Sequence, residues 1–109
     1  MFEIKENQRI LPDGTKITTF ERDIYNCNIL SVEAGTTGYM GGDSGHGGRT
    51  YFRIKDEGST DIKAHVSKDK FGQEIVEVIL GGDTELETII TALRFIAKVL
   101  EDQKNDVHD

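Results

Sequence analysis

From residue 2 to residue 80 the chain alternates apolar and polar residues in short runs separated by turn formers, the pattern of strands with one buried face. "FEIKENQRIL" predicts one or two short strands. Pro12-Asp13-Gly14 predicts a turn, since proline presets φ at the first central position and glycine accepts the conformation that follows. "TKITTFE" returns as the hairpin partner, and "NILSVEA" and "RTYFRIK" predict strands on either side of a glycine-rich segment. "TDIKAHV" and "QEIVEVIL" complete the set, joined by a turn at "SKDKFG"; the last is the most apolar and is expected to be central. Connections this short force antiparallel neighbours, hence a meander of about five to six strands.

The period then changes. Leu86, Ile89, Ile90, Leu93, Ile96, Ala97 and Leu100 fall on one face of a helix, which is expected to cover the sheet. Thr84 and Glu87 fit a capping box at its start. The expected fold class is α+β: one antiparallel meander sheet with a single C-terminal helix packed on one face. Ala92, Phe95 and Val99 lie on roughly the opposite face of that helix. Apolar residues away from a core mark contacts, so these three are expected to form the interface of a homo-oligomer.

With 109 residues, the chain is expected to form one domain over residues 1–102, followed by an acidic, flexible tail over 103–109. No apolar run reaches the roughly 18 residues that a bilayer span requires, so no membrane partner is expected. "MFEIKENQRI" lacks a secretory signal pattern, and Cys27 is the single cysteine, so a cytoplasmic location is expected. Lying just ahead of an apolar strand, Cys27 reads as a small buried core residue.

A net charge of −7 argues against duplex nucleic acid, whose phosphates need a basic footprint. Residues 49 to 70 nevertheless hold six Lys/Arg against four Asp/Glu, a local excess that suits a small anion. Just before them, "GTTGYMGGDSGHGG" (35–48) holds seven of the twelve glycines. Its Gly-Asp-Ser-Gly string looks like the nucleophile stretch of trypsin-type proteases, but no histidine precedes Ser44. Its glycines ahead of Arg49-Thr50 do not fit a Walker loop, because "YFRIK" continues as a strand rather than a helix. The later Gly81-Gly82-Asp83-Thr84 reads as a helix cap, since its own carboxylates occupy the positive end of the helix dipole.

Consecutive amides in a glycine loop can cradle an anion. On the strand that follows, Arg49, Tyr51, Arg53 and Lys55 share one face. Arginines with a tyrosine between them suit a phosphate and a stackable base. The expected ligand-binding set is Tyr39, Ser44, His46, Arg49, Tyr51, Arg53 and Lys63. Neither an activated nucleophile nor a carboxylate pair is visible, and no cofactor or resident metal is expected. Asp43, His46 and His65 leave a small metal-dependent hydrolase open as an alternative.

The stretch "NILSVEAGTTGYMGGDSGHGGRTYFRI" together with "GGDTELETIITAL" resembles small proteins carried by phages and prophages of Gram-positive bacteria. Several unrelated small phage proteins block host defence by sequestering nucleotide second messengers, often as oligomers. The resemblance therefore implies non-catalytic sequestration of a phosphorylated small molecule such as a nucleotide-type signal. The other readings are a protein-interaction module that inhibits a host enzyme, and the hydrolase.

Overall fold

The computed structural model describes residues 3–38 and 48–104. Six strands precede one helix: β1 (Lys5–Ile10), β2 (Lys16–Tyr25), β3 (Ile29–Thr36), β4 (Thr50–Gly58), β5 (Ile62–Lys68), β6 (Glu74–Leu80) and α1 (Asp83–Lys104). The class is α+β, as the alternation implies. The strands form two antiparallel sheets rather than one, a four-stranded meander in the order β1-β2-β3-β4 and a separate β5-β6 hairpin.

The first turn forms where Pro12-Asp13-Gly14 predicts it. The Gly14 amide donates to the Leu11 carbonyl at 2.8 Å, and Asp13 Oδ1 accepts from the Thr15 amide at 3.0 Å. The hairpin tip is built alike, with the Asp69 carboxylate accepting from the amides of Phe71 and Gln73, both at 2.9 Å.

The division into two sheets has a local cause. Ile29 pairs with Gly58 while Leu30 pairs with Asp56, so Glu57 is an extra residue on β4. Such a bulge bends the strand that carries it. Ser59 follows with φ of 59°, in the left-handed region, and turns the chain out of the first sheet. Gly58 to Asp61 thus make a corner, and β5 leaves as the root of an arm.

The central strand is therefore β3, buried along nearly its whole length, and not "QEIVEVIL". As β6, that segment lies in the two-stranded arm and is largely exposed. Gly35 permits the close approach of β3 to β2, since a side-chain carbon there would collide with the Thr18 carbonyl and with Thr19.

α1 packs chiefly on β3. Leu30, Val32 and Ala34 meet Ala92, Ile96 and Val99, with Ile24 completing the buried cluster and Phe20, Ile54, Ile62, Ile89, Phe95 and Leu100 packed around it. The helix is turned about its axis by roughly 100° relative to the orientation its apolar periodicity suggests. Ala92 and Val99, expected at an oligomer contact, belong to the core, and Phe95 packs against it. Leu86, Ile90, Leu93 and Ala97, expected inside, are exposed.

Polar groups explain the turn. The buried stripe contains Glu85 and Thr88, and Gln103 is partly buried below it. Each has a partner that sequence spacing does not show. Thr88 Oγ1 reaches Asn28 Oδ1 at 3.1 Å, and Asn28 Nδ2 donates to Thr60 Oγ1 at 3.0 Å. Glu85 accepts from the Asp61 amide at 3.3 Å, which pins the root of the arm to the helix start. Gln103 accepts from the Thr36 amide at 3.0 Å and donates to the Thr18 carbonyl at 3.1 Å.

Helix and ordered contacts thus extend past residue 102, and residues 105–109 lie outside the described part. The helix starts at Asp83, ahead of the expected Thr84 cap, with the Leu86 amide bonded to the Gly82 carbonyl at 3.2 Å. Cys27 is exposed rather than buried, on the β2–β3 turn.

Replacing Leu30 by alanine opens a cavity under α1 and is expected to lower stability by about 3 kcal/mol. Thr88→Val leaves the Asn28 amide group without its helix partner and is expected to cost about 1–2 kcal/mol. Urea unfolding with an unchanged slope is the measurement; a loss below about 0.5 kcal/mol at both positions would contradict this account of the core.

Candidate functional site

Two places carry enough chemistry to be considered. One is the face of the meander away from α1, where the expected cationic stripe lies. The other is a groove beside the helix.

On the open face the strand register sets an electrostatic problem. Glu21 on β2 stands directly opposite Glu33 on β3, a like-charge pair that is unfavourable without cations. Arg53 on β4 is the next residue along the same row, directly opposite Glu33. Arg9 reaches across from β1 and grips Glu33 with two donors, Nε to Oε2 at 2.6 Å and Nη2 to Oε1 at 2.5 Å. The Thr19 hydroxyl donates to Glu33 Oε2. Arg53 Nη2 donates to Glu21 Oε2 at 3.1 Å, while its Nη1 lies 3.6 Å from Glu33 Oε1. Asn7 and Ser31 also donate to Glu21, at 2.9 and 3.2 Å.

The Glu33 side chain is 0% exposed. Burial pushes its pKa up, but the bonds from Arg9 and Thr19 and the positive charges of Arg9 and Arg53 outweigh this and hold it below the ordinary carboxylate value. Glu21 is lowered in the same way: burial opposes, and Asn7, Ser31 and Arg53 prevail. Hydrogen bonding to Glu33 raises the pKa of Arg9 in turn. Arg49 sits at the entry to β4, with Nε on Asp13 Oδ2 at 2.6 Å. That bond, followed by the Thr15 contacts, holds Asp13 at about 2.

The expected ligand residues are thus only partly gathered. Tyr51 and Arg53 share the open face, but the Arg9 guanidinium lies over the Tyr51 ring at 5.6 Å. Arg49 is engaged at the β1–β2 turn. Lys63 is on β5, in the other sheet, and does not join them. Tyr39, Ser44 and His46 lie outside the described residues, as does Asp43. His65 is exposed on the arm, and no group of three or more His, Cys, Asp or Glu that could hold a metal occurs among the described residues. Each arginine of the stripe faces a carboxylate of its own chain. The open face is a clamp between strands, and an incoming phosphate would have to displace internal partners.

The groove has the opposite character. It encloses about 550 Å³ between α1, β2 and the segment before β1, with Ile4, Phe20, Phe95 and Val99 as its apolar lining. Arg22, Arg94 and Lys98 stand on its walls with Thr91, Asp102 and Gln103. Arg22 lies over the Phe95 ring at 5.8 Å, and burial lowers its pKa. Lys98 Nζ lies 3.1 Å from Asp102 Oδ2. Arg94 has no ion pair or hydrogen bond among the described residues. Among the described residues that line it, Arg22, Arg94 and Lys98 stand with one carboxylate, Asp102, and two phenyl rings, in a pocket of ordinary ligand size that is both apolar and basic.

Sequence reasoning missed this groove because it depends on the helix's rotation. One signal was available: Arg22 alternates with Phe20 and Ile24 on the buried-facing side of β2, an unusual place for a cation.

No protein-family model, curated protein or solved structure matches the chain.

The lowered carboxyls give a pH dependence of definite sign. Asp13, Glu21 and Glu33 all have folded-state pKa values below their ordinary ones. Their stabilisation is complete above an unfolded-state value of about 4.5 and is lost as pH falls through the folded values. Unfolding free energy is therefore expected to be flat near neutrality and to decline below about pH 5. Glu33→Gln is expected to cost roughly 2–3 kcal/mol at pH 7. The deficit should shrink as pH falls through the lowered folded-state value, where the native carboxyl is itself being protonated. A deficit independent of pH, in denaturant titrations across that range, would show that the charge is not what matters.

Proposed function

We propose that the protein is a non-catalytic binder of an anionic small molecule with an aromatic or apolar body, the profile of a phosphorylated nucleoside. The observation that carries this is the groove beside α1: an aromatic lining, basic side chains and a volume suited to one such ligand. Phe20 offers surface for a base or other flat group, beside a Phe95 ring that already carries Arg22 over it. Arg94 and Lys98, one helical turn apart, are spaced to meet a phosphate ester from one side. In the phage setting implied by the resemblance of the sequence, such binding would withdraw a nucleotide signal from solution. The class of ligand is the one expected from sequence, and the proposed place for it is the helix flank; Tyr39, Ser44 and His46 of the glycine loop lie outside the described residues.

Among the described residues that line the groove, Asp102 is engaged with Lys98 and there is no serine, cysteine or histidine, which favours holding a ligand over turning it over.

Titration calorimetry with nucleoside mono- and diphosphates and cyclic dinucleotides, against the same nucleosides without phosphate, tests the reading. Arg94→Ala and Lys98→Ala are each expected to weaken binding about tenfold, or about 1.4 kcal/mol, without altering the fold. Asp102→Asn removes the one carboxylate among the described lining residues and is expected to tighten binding. Arg53→Ala is expected to lower stability and leave affinity unchanged. Binding that depends on Arg53 and ignores Arg94 and Lys98 would return the site to the open face, and no binding by any phosphate ester would dismiss the reading.

A further inference from the structure

The arm and the helix each present an apolar surface that no described residue covers. Along the hairpin, Ile62 pairs with Leu80, Ala64 with Val78 and Val66 with Val76, all on one face. Ile62 packs against the core of the body, so this face continues the core outward. The cover does not continue with it: Val66 is 74% and Val76 73% exposed. A two-stranded hairpin is marginal in water by itself and needs a third strand or a helix against its apolar face. On α1, Leu86, Ile90 and Leu93 recur at intervals of four and three residues and are 57%, 37% and 52% exposed. They form a straight apolar stripe beside the buried one.

Each chain therefore has one bare sheet face and one bare helix stripe, the two kinds of surface that cover each other within the body of this same fold. We propose that the occupant of both is a second copy of this chain. The arm of each copy lies across the α1 stripe of the other, in a reciprocal two-fold dimer. The area fits. Val66, Val76, Val78, Leu86, Ile90 and Leu93, at roughly 100 Å² a side chain, give roughly 600 Å² per copy before any polar rim is counted. Standard stable interfaces bury about 800 Å² per partner. The contact differs from the one expected from sequence, since Ala92 and Val99 are spent inside the monomer. It is also independent of the ligand proposed for the groove.

The test is the mass of the full chain in solution, by sedimentation velocity over a range of concentrations. The expected result is a species of twice the 12.2 kDa chain mass. Val76→Lys on the arm and Leu93→Glu on the helix are each expected to give a single-chain species with an unchanged circular dichroism spectrum. Mixing the two variants is expected to restore a dimer, because one of the two reciprocal contacts is then wild type and the other opposes lysine to glutamate. If Val76→Lys disturbs the hairpin, Val66→Lys takes its place. Arm amides of the wild-type chain should also exchange hydrogen faster on dilution. A wild-type chain that stays single at every concentration overturns the proposal, and so do variants that remain dimeric. Single variants that fail to recombine on mixing overturn the arm-on-helix pairing.

Discussion

A carboxylate closed off from water is tolerated only when its charge is met by donors close by, and Glu33 is met from three strands. Arg9 of β1 holds both its oxygens, Thr19 of β2 donates to one of them, and Arg53 of β4 stands beside it. Remove the charge and the arginines face Glu21 alone. Remove the arginines and two glutamates oppose each other in neighbouring strands. The registers of β1, β2, β3 and β4 are thus tied to one group, on the face where no helix lies. The apolar face of the same sheet is then free to receive α1, and the groove at the edge of that contact inherits its shape from it.

The clamp also explains why a basic stripe on a strand does not make an anion site by itself. Arg49, Arg53 and Tyr51 were recognisable as a group by alternation alone. Their partners were not, because Asp13, Glu21 and Glu33 lie 20 to 36 residues away in sequence. Local charge along the chain and local charge in space differ here, and the cationic excess of residues 49 to 70 is dispersed over two sheets. The groove gathers Arg22 from β2 with Arg94 and Lys98 from α1, residues no window of sequence places together.

Much of the framework was legible. Pro12-Asp13-Gly14, the alternation of β1 to β4 and the 3.6-residue period of α1 each follow from local chemistry, and each is present. What failed was the choice between two faces that both looked apolar. "ETIITALRFIAKVL" offers apolar side chains over more than half of its circumference, and the decision fell to Glu85, Thr88 and Gln103, polar residues with buried partners. "QEIVEVIL" failed for a similar reason. Its composition is that of a central strand, but a bulge at Glu57 and the left-handed Ser59 carry the chain out of the sheet before it is reached. Hydrophobicity told which residues seek cover and not where the cover would come from.

The order of the elements along the chain has a consequence for synthesis. Every strand precedes the helix that roofs the meander, and the contacts of α1 with β2 and β3 close loops of some 60 residues or more. The meander is made of neighbouring hairpins and can pair as it emerges from a ribosome. Leu30, Val32 and Ala34 then wait, uncovered, until the helix has been translated. At about 5–20 residues per second that interval lasts on the order of seconds, far longer than a hairpin takes to form. The nascent sheet is held in register meanwhile by the polar face opposite, where Arg9, Glu21, Glu33 and Arg53 have all been made before the helix begins.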